Sequence, residues 1–131
     1  MIIRSLESIL GTDRETNAPT WKSRRLLLAA DGMGFSLHDT VLGAGTVTEM
    51  RYVNHLEAVY CIEGSADLTD HATGQVHRIE PGVVYALNEH DHHTLTVIDE
   101  FRCVCVFNPP CVGTETHDAH GGYPLLTEEE A

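Results

Sequence analysis

The stretch His55-Leu56-Glu57-Ala58-Val59-Tyr60-Cys61-Ile62-Glu63-Gly64 decides how the chain is expected to fold. Its β-branched and aromatic residues predict a buried strand, and the closing glycine predicts a turn. Glu57 lies inside this apolar run, where an ionised carboxylate without a partner is costly to desolvate. Two interpretations are open from this stretch alone. Glu57 faces water on the outer side of the strand, or it points into a barrel and binds a metal.

A second stretch, residues 81–93, favours the metal interpretation. Six residues separate Glu57 from Gly64, and ten separate Gly82 from His93. These two spacings resemble the paired motifs of the cupin superfamily, in which the glutamate and the histidine are metal ligands of a small β-barrel. The resemblance therefore implies that Glu57 and His93 project into one interior.

One departure from the cupin pattern changes the expected ligand set. The two histidines of the usual first motif fall at Arg51 and Val53, so the common site of three histidines and one glutamate is absent. Tyr85 lies on the strand that leads toward His93, and it is the third ligand that we predict beside Glu57. A carboxylate, a phenolate and an imidazole with open positions suit Fe(II), although zinc or another divalent transition metal also accepts such donors. The alternative for Tyr85 is a tyrosine of the core with a satisfied hydroxyl. The alternative for His93 is a solvated, histidine-rich turn.

Short β runs recur along residues 34–107 at intervals of about 8–12 residues, with turn sequences between them. No helical periodicity interrupts them. The pattern predicts an all-β protein, specifically a cupin-type antiparallel β-barrel (jelly-roll) with short irregular or helical segments at the termini. We interpret residues 1–131 as a single cupin domain. The predicted strands are Gly34–Val41, Thr46–Val53, Glu57–Glu63, Ser65–Asp70, Gln75–Ile79, Val83–Leu87, Thr94–Ile98 and Phe101–Phe107.

Both ends of the chain are predicted to leave the barrel. Residues 2–10 predict a short strand followed by one helical turn, and residues 12–20 predict a loop. The pair Pro109-Pro110 cannot continue a central strand. Residues from about 109 to 131 are therefore expected to form a lid-like tail, whose last residues, 127–131, fray.

The charge balance excludes some classes of partner. Eight Lys and Arg stand against 20 Asp and Glu, which gives a formal net charge of −12. Such a chain offers no basic surface for nucleic acid or an anionic membrane. No apolar run reaches the roughly 20 residues of a transmembrane helix, and the start lacks the features of a signal peptide. The four cysteines form no CxxC pair, so we predict reduced thiols and a cytoplasmic protein.

Longer blocks of the sequence resemble the ectoine synthase family, and together they span residues 1–126. The resemblance implies an iron-dependent hydro-lyase that closes N-γ-acetyl-L-2,4-diaminobutyrate into ectoine, an osmoprotective compatible solute, with loss of water. It also implies a head-to-tail homodimer. The blocks are Leu10–Arg14, Trp21–Leu28, Asp31–Ser36, Asn54–Cys61, Val104–Pro110 and Gly122–Leu126.

The same resemblance implies roles for particular residues. The implied metal ligands are Glu57, Tyr85 and His93. The implied contacts to substrate and product are Trp21, Arg25, Thr40, Cys105 and Phe107. The residues linked to catalysis or to support of the active site are Tyr52, His55, Glu115 and His117. His38 occupies a pocket position that is often asparagine in the family.

The chemistry of the reaction indicates how these residues would be used. An arginine such as Arg25 suits the substrate carboxylate, and Trp21 with Phe107 would sandwich the forming ring. Glu115 and His117 would serve as acid and base from a tail that excludes water. The alternatives are that Trp21 fills the core or a dimer interface, and that the tail only stabilises the barrel.

Two other functions are compatible with the sequence. Another Fe(II)-dependent cupin enzyme, such as a dioxygenase or an isomerase, would use the same type of metal site. A non-catalytic ectoine-binding cupin would keep the pocket and lose the chemistry. Retention of the three implied ligands, together with Glu115 and His117, favours the enzyme.

Overall fold

The computed structural model describes residues 1–119 and 121–126, and within them the regular secondary structure is almost entirely β-strand. One short helix, α1 (Leu6–Ile9), and one 3-10 turn (Ala29–Asp31) accompany the strands. No helix in this part of the chain is long and apolar enough to cross a membrane. The strands are β1 (Glu15–Asn17), β2 (Trp21–Leu27), β3 (Ser36–Leu42), β4 (Val47–Met50), β5 (Leu56–Asp70), β6 (Val76–Ile79), β7 (Val84–Leu87) and β8 (His93–Asn108).

Two long strands, β5 and β8, pair antiparallel along their whole length and belong to both walls of the barrel. The first half of β5 and the second half of β8 continue into one sheet with β7, β3, β2 and β1. The second half of β5 and the first half of β8 form the other sheet with β6 and β4. The two sheets enclose one core, as predicted for a jelly-roll barrel.

The structure joins strands that the sequence predicted as separate. Glu57–Glu63 and Ser65–Asp70 are one strand, since the turn expected at Gly64 is a bulge inside β5. Gly64 has φ 82°, and a Cβ there would lie 1.9 Å from the Glu100 carbonyl oxygen. Only glycine fits this crossing of β5 and β8. The turn predicted at residues 99–100 is likewise absorbed into β8.

The bulge also switches which side chains face inward. Before it the buried residues are Glu57, Val59 and Cys61, and after it they are Ala66 and Leu68. This shift lets a single strand line both halves of the barrel. Glu57 is 8% exposed, so the prediction that it points inward is confirmed.

The N-terminal prediction was wrong in two places. No strand forms in residues 2–5, and the helical turn α1 follows directly. Ser5 caps α1, because its Oγ accepts the backbone N–H of Ser8 at 3.2 Å. Residues 15–17, predicted as loop, form β1 at the edge of the sheet beside β2. Pairing with the strong strand β2 supplies the hydrogen bonds that the polar sequence of β1 does not predict.

Beyond Asn108 the described tail contains neither helix nor strand, as predicted. It nevertheless packs closely on the barrel, because Cys111, Glu115 and Tyr123 are all buried. Residues 120 and 127–131, which belong to the predicted lid-like tail, lie outside the described residues.

Candidate active site

The three predicted metal ligands come from three strands that meet inside the barrel. Glu57 lies near the start of β5, and Tyr85 on β7 is the cross-strand partner of Val59, two residues further along. His93 begins β8, and its ring centroid is 6.5 Å from that of Tyr85. Glu57 and Tyr85 line one cavity, while Tyr85 and His93 line a second one. The set therefore lies where the two cavities adjoin.

The surroundings of these side chains fit a metal ion. His93 is 2% exposed, its Nδ1 bonds the Asp91 carbonyl oxygen at 2.9 Å, and its Nε2 is buried without a hydrogen-bond partner. Burial lowers the pKa of His93 and raises those of Glu57 and Tyr85 well above their usual values. Buried donors that lack a compensating charge among the described residues are what a divalent cation would satisfy. In the same residues no three His, Cys, Asp or Glu side chains form a metal-binding group, and the predicted set relies on a tyrosine instead.

The cavity that contains Glu57 is small and is lined by aromatic, aliphatic and sulfur-containing side chains. Its volume is about 40 Å³, only a few times what one water molecule requires. Four of the five predicted substrate contacts line it, which are Trp21, Thr40, Cys105 and Phe107. Two predicted catalytic residues, Tyr52 and His117, also line it. The structure thus brings most of the predicted pocket together around the Glu57 carboxylate.

A directed hydrogen-bond chain crosses the mouth of this cavity. Trp21 Nε1 can only donate, and it lies 3.4 Å from His117 Nδ1. The hydrogen of the neutral imidazole is therefore on Nε2, which donates to the Tyr52 hydroxyl at 2.7 Å. Burial lowers the pKa of His117 to about 4, so the ring is neutral at pH 7. The Tyr52 hydroxyl hydrogen is left for another acceptor, and within residues 1–119 and 121–126 that acceptor is Met50 Sδ at 3.6 Å.

Arg25 and Glu115 form a buried anchor beside the cavity rather than part of its lining. Arg25 is fully buried and donates to Ser23 Oγ at 3.1 Å, to Gly113 O at 3.0 Å and to Glu115 O at 2.7 Å. The Glu115 carboxylate accepts the backbone N–H groups of Val112 and Gly113 at 2.7 and 2.8 Å, and lies 3.7 Å from Arg25 Nη1. In this conformation Arg25 holds the tail and leaves no free donor directed at the cavity.

The comparisons with known proteins agree along the whole chain. A family model described as ectoine synthase matches residues 1–127. The chain belongs to the ectoine synthase family. The L-ectoine synthase of Desulfosudis oleivorans is 57% identical over 129 residues, covering 98% of this chain and 100% of that protein. The L-ectoine synthase of Streptomyces anulatus is 56% identical, covering 98% of this chain and 99% of its own.

A solved structure of the family shows the same fold. The crystal structure of ectoine synthase from P. lautus superposes with a TM-score of 0.87 at 52% identity, covering 96% of this chain and 91% of that one. The predicted family, the cupin-type fold and the predicted enzyme class, a hydro-lyase, are confirmed by these comparisons.

His38, which the family resemblance led us to expect in the pocket, is a buried link behind Arg25. Its ring is 1% exposed and bonds Ser23 Oγ at 3.2 Å and Ser36 Oγ at 3.0 Å. Ser23 Oγ already accepts the Nε–H of Arg25, and Ser36 Oγ accepts the backbone N–H of Cys111. Burial, and then the charge of Arg25, holds the pKa of His38 well below 6.5. A neutral imidazole can donate a hydrogen bond to one of these serine hydroxyls and accept one from the other. His38 is thereby linked to Arg25 through the Ser23 hydroxyl.

His55 is placed close to the cavity but does not line it. It is 1% exposed, its Nδ1 has no hydrogen-bond partner, and its ring meets Phe107 edge-on at 5.8 Å. The sequence analysis did not single out Tyr123 as a site residue, yet its ring lines the cavity between Trp21 and Phe107. The signal that identifies it is the preceding glycine pair, whose purpose is evident only from the docking of the tail.

Proposed function

We propose that the protein is a metal-dependent ectoine synthase, which cyclises N-γ-acetyl-L-2,4-diaminobutyrate to ectoine in the cytoplasm as part of osmoprotectant biosynthesis. The observation that carries this proposal is family membership over residues 1–127 combined with a cavity walled by the implied substrate-contact residues. The free state of all four cysteines is compatible with a reducing compartment.

The reaction sets clear demands on the protein. The α-amino nitrogen forms a bond to the acetamide carbon, and the bond from that carbon to oxygen breaks. Two of the three ammonium hydrogens leave with that oxygen as water, and the third remains on the cyclic amidinium, so no net proton is exchanged. The site must hold the two ends of one substrate together, move protons locally and exclude water.

Holding the substrate is the role that we assign to the aromatic walls. Trp21 starts β2 and Phe107 lies one residue before the end of β8, and both are at most 5% exposed. Their ring faces suit a delocalised amidinium, since a cation is attracted to the face of an aromatic ring. Thr40 and Cys105 complete the wall. We assign Cys105 to shaping the cavity rather than to nucleophilic attack. Its hydrogen bond with the Cys103 thiol, and then its burial, hold the pKa of Cys105 well above 9, so the reactive thiolate does not form at neutral pH.

Proton transfer is the role that we assign to Tyr52, with His117 behind it. The Tyr52 hydroxyl has a strong donor in His117 Nε2 and only a thioether as acceptor. A substrate oxygen in the cavity would accept its hydrogen better than sulfur does, and one of the two hydrogens that the substrate ammonium loses would replace it on Tyr52. A neutral His117 with a pKa of about 4 is a poor general base at pH 7. We therefore assign His117 to orienting the Tyr52 hydroxyl, while Glu115 fixes the tail that carries His117.

Glu57, Tyr85 and His93 are the residues that would hold Fe(II), or zinc in its place. When bound there, the metal would supply a Lewis acid for the acetamide carbonyl. The buried, unpartnered Nε2 of His93 and the inward Glu57 carboxyl support this assignment. The remaining contributions come from the chain, which binds the substrate, fixes its conformation and keeps bulk water out.

We also propose a homodimer built on the outer face of β5 and β7. Tyr60 and Val84 are cross-strand partners there and are 47% and 61% exposed. An almost entirely apolar groove runs beside them, between Ala58, Ala86 and Val106. An exposed apolar surface of this kind is typical of a protein–protein interface.

Turnover with and without oxygen tests the function against its main alternative. Purified iron-loaded protein should convert N-γ-acetyl-L-2,4-diaminobutyrate to ectoine at the same rate in air and under nitrogen, since the reaction needs no oxidant. Chelation should stop it while the circular dichroism spectrum is retained. Oxygen-dependent consumption of the substrate would indicate a dioxygenase. Tight binding of ectoine without turnover would indicate a binding protein.

A further inference from the structure

The pair Gly121-Gly122 docks the tail directly onto the backbone between β4 and β5. A Cβ at Gly121 would lie 2.4 Å from the Glu49 carbonyl oxygen, and one at Gly122 would lie 2.2 Å from the Arg51 carbonyl oxygen. Arg51 N donates to Gly121 O at 3.1 Å across the same contact. Side chains at either glycine would force the tail away from the barrel.

Polar contacts on both sides of the glycine pair fix the next residue, Tyr123. Asn54 Nδ2 donates to Tyr123 O at 3.1 Å. Before the pair, Asp118 N donates to Gly122 O at 2.8 Å, and Asp118 Oδ1 accepts from Gly122 N at 3.2 Å. The position of Tyr123 over the barrel is therefore set by backbone geometry, independently of its own side chain.

The Tyr123 ring forms the tail side of the cavity wall. It is 4% exposed, and its centroid lies 5.1 Å from Tyr52, 5.2 Å from Phe107 and 5.3 Å from His117. The Arg25 guanidinium lies 5.4 Å from the ring centroid, while the hydroxyl makes only a 3.5 Å contact to Arg25 Nη2. The contribution of Tyr123 is therefore mainly the volume and the faces of its ring.

We propose that Tyr123 is a specificity-determining residue that limits the acyl group of the substrate to acetyl. This inference rests on the proposed function. In the proposed mechanism the acetamide oxygen meets the Tyr52 hydroxyl, so the acyl group lies on the side of the cavity that the Tyr123 ring closes. Most of the other walls belong to hydrogen-bonded strands. His117, the other tail residue in the wall, is held by Trp21 and Tyr52. The ring of Tyr123 is the wall whose removal creates room without breaking a strand or a strong hydrogen bond.

The test compares two substrates, N-γ-acetyl- and N-γ-propionyl-L-2,4-diaminobutyrate, by the ratio of their kcat/KM values. The wild type should prefer the acetyl substrate by about 10-fold or more, the scale of one misfitting methylene. The ratio should be nearly unchanged in Tyr123→Phe and should fall progressively in Tyr123→Met and Tyr123→Leu. Gly122→Ala, which displaces the same ring, should also lower it. Leu125→Ala is the control, because Leu125 lies on the same tail and is 59% exposed.

The outcomes separate the possible explanations. A purely structural role would lower kcat/KM for both substrates equally, with loss of thermal stability, and would overturn the proposal. An unchanged ratio in well-folded Tyr123→Met would also overturn it, and the graded series does not depend on any single variant folding. If the wild type cyclises neither substrate, the proposed function itself fails.

Discussion

At the scale of single residues, the account depends on Glu57, Tyr85 and His93. Glu57→Gln and His93→Gln should each reduce iron affinity by more than the roughly 10–100-fold that losing an outer-shell partner costs. Tyr85→Phe should do so as well, because its ring packing is kept and only the oxygen is lost. Iron per protomer, measured by atomic emission after dialysis, checks this directly.

The matched control is His92→Gln. His92 is the sequence neighbour of His93, but its side chain is 37% exposed and bonds Glu49 at 2.7 Å on the surface. This variant should keep wild-type iron content. Wild-type iron in Glu57→Gln or His93→Gln would remove these residues from the ligand set.

His38 carries a second prediction at this scale, on pH dependence. The pKa of His38 in the folded protein lies well below 6.5. As the pH falls below 6.5, His38 is therefore protonated in the unfolded chain while it stays neutral in the folded one. The folded state is therefore favoured above pH 6.5 and loses stability as the pH falls below that value. His38→Asn should make the free energy of unfolding, measured by urea titration, less dependent on pH between 6.5 and 5.

His77→Asn is the control for that measurement, because His77 is exposed on β6. It should alter stability by no more than about 0.5 kcal/mol, and its pH slope is the reference for that of His38→Asn. The account of His38 is contradicted if the two variants show the same slope.

At the scale of elements, the tail is both a wall of the cavity and the partner of a buried charge. Truncation after Gly113 removes the Glu115 carbonyl and carboxylate, and leaves the Arg25 guanidinium buried with fewer partners. Breaking a buried pair in this way costs about 3–5 kcal/mol. A tail that acted only as a lid would leave the truncated barrel folded and metal-loaded. The structure instead predicts a marked fall in the midpoint of thermal unfolding.

Point variants separate an effect on catalysis from the loss of stability that truncation causes. Tyr52→Phe and His117→Gln leave Arg25 and Glu115 paired, so the protein should keep its stability and lose about 100-fold or more in kcat, the scale of a general acid–base group. Near-normal turnover in both variants would remove the hydrogen-bond chain from the mechanism.

The elements also show what the sequence alone could predict. Alternating apolar residues located the strands of residues 34–107, because each strand has one buried face, but they also predicted breaks inside β5 and β8 that the structure does not have. The sequence could not show that Gly64 continues β5, since its close contact with Glu100 depends on a strand distant in the chain. The family resemblance implies that Arg25 contacts the substrate, and its charge suits a carboxylate. In the structure its guanidinium instead donates hydrogen bonds to the backbone carbonyl groups of residues 113 and 115, which are far away in sequence.

At the scale of the whole molecule, the outer face of β5 and β7 should join two copies. Val84→Lys places a charge in the middle of that surface and should shift the protein from dimer to monomer in light scattering. Val76→Lys is the control, because Val76 is 58% exposed on the edge strand β6 of the other sheet. A dimer unaffected by Val84→Lys would place the interface elsewhere.

In the proposed reaction the acetamide oxygen of the substrate leaves as water when the ring closes. The most direct measurement uses N-γ-acetyl-L-2,4-diaminobutyrate labelled with ¹⁸O in the acetamide carbonyl, incubated with the iron-loaded protein and followed by mass spectrometry. The account predicts unlabelled ectoine, formed in step with the appearance of the label in water. Release of labelled acetate without ectoine would show hydrolysis in place of ring closure, and would contradict it.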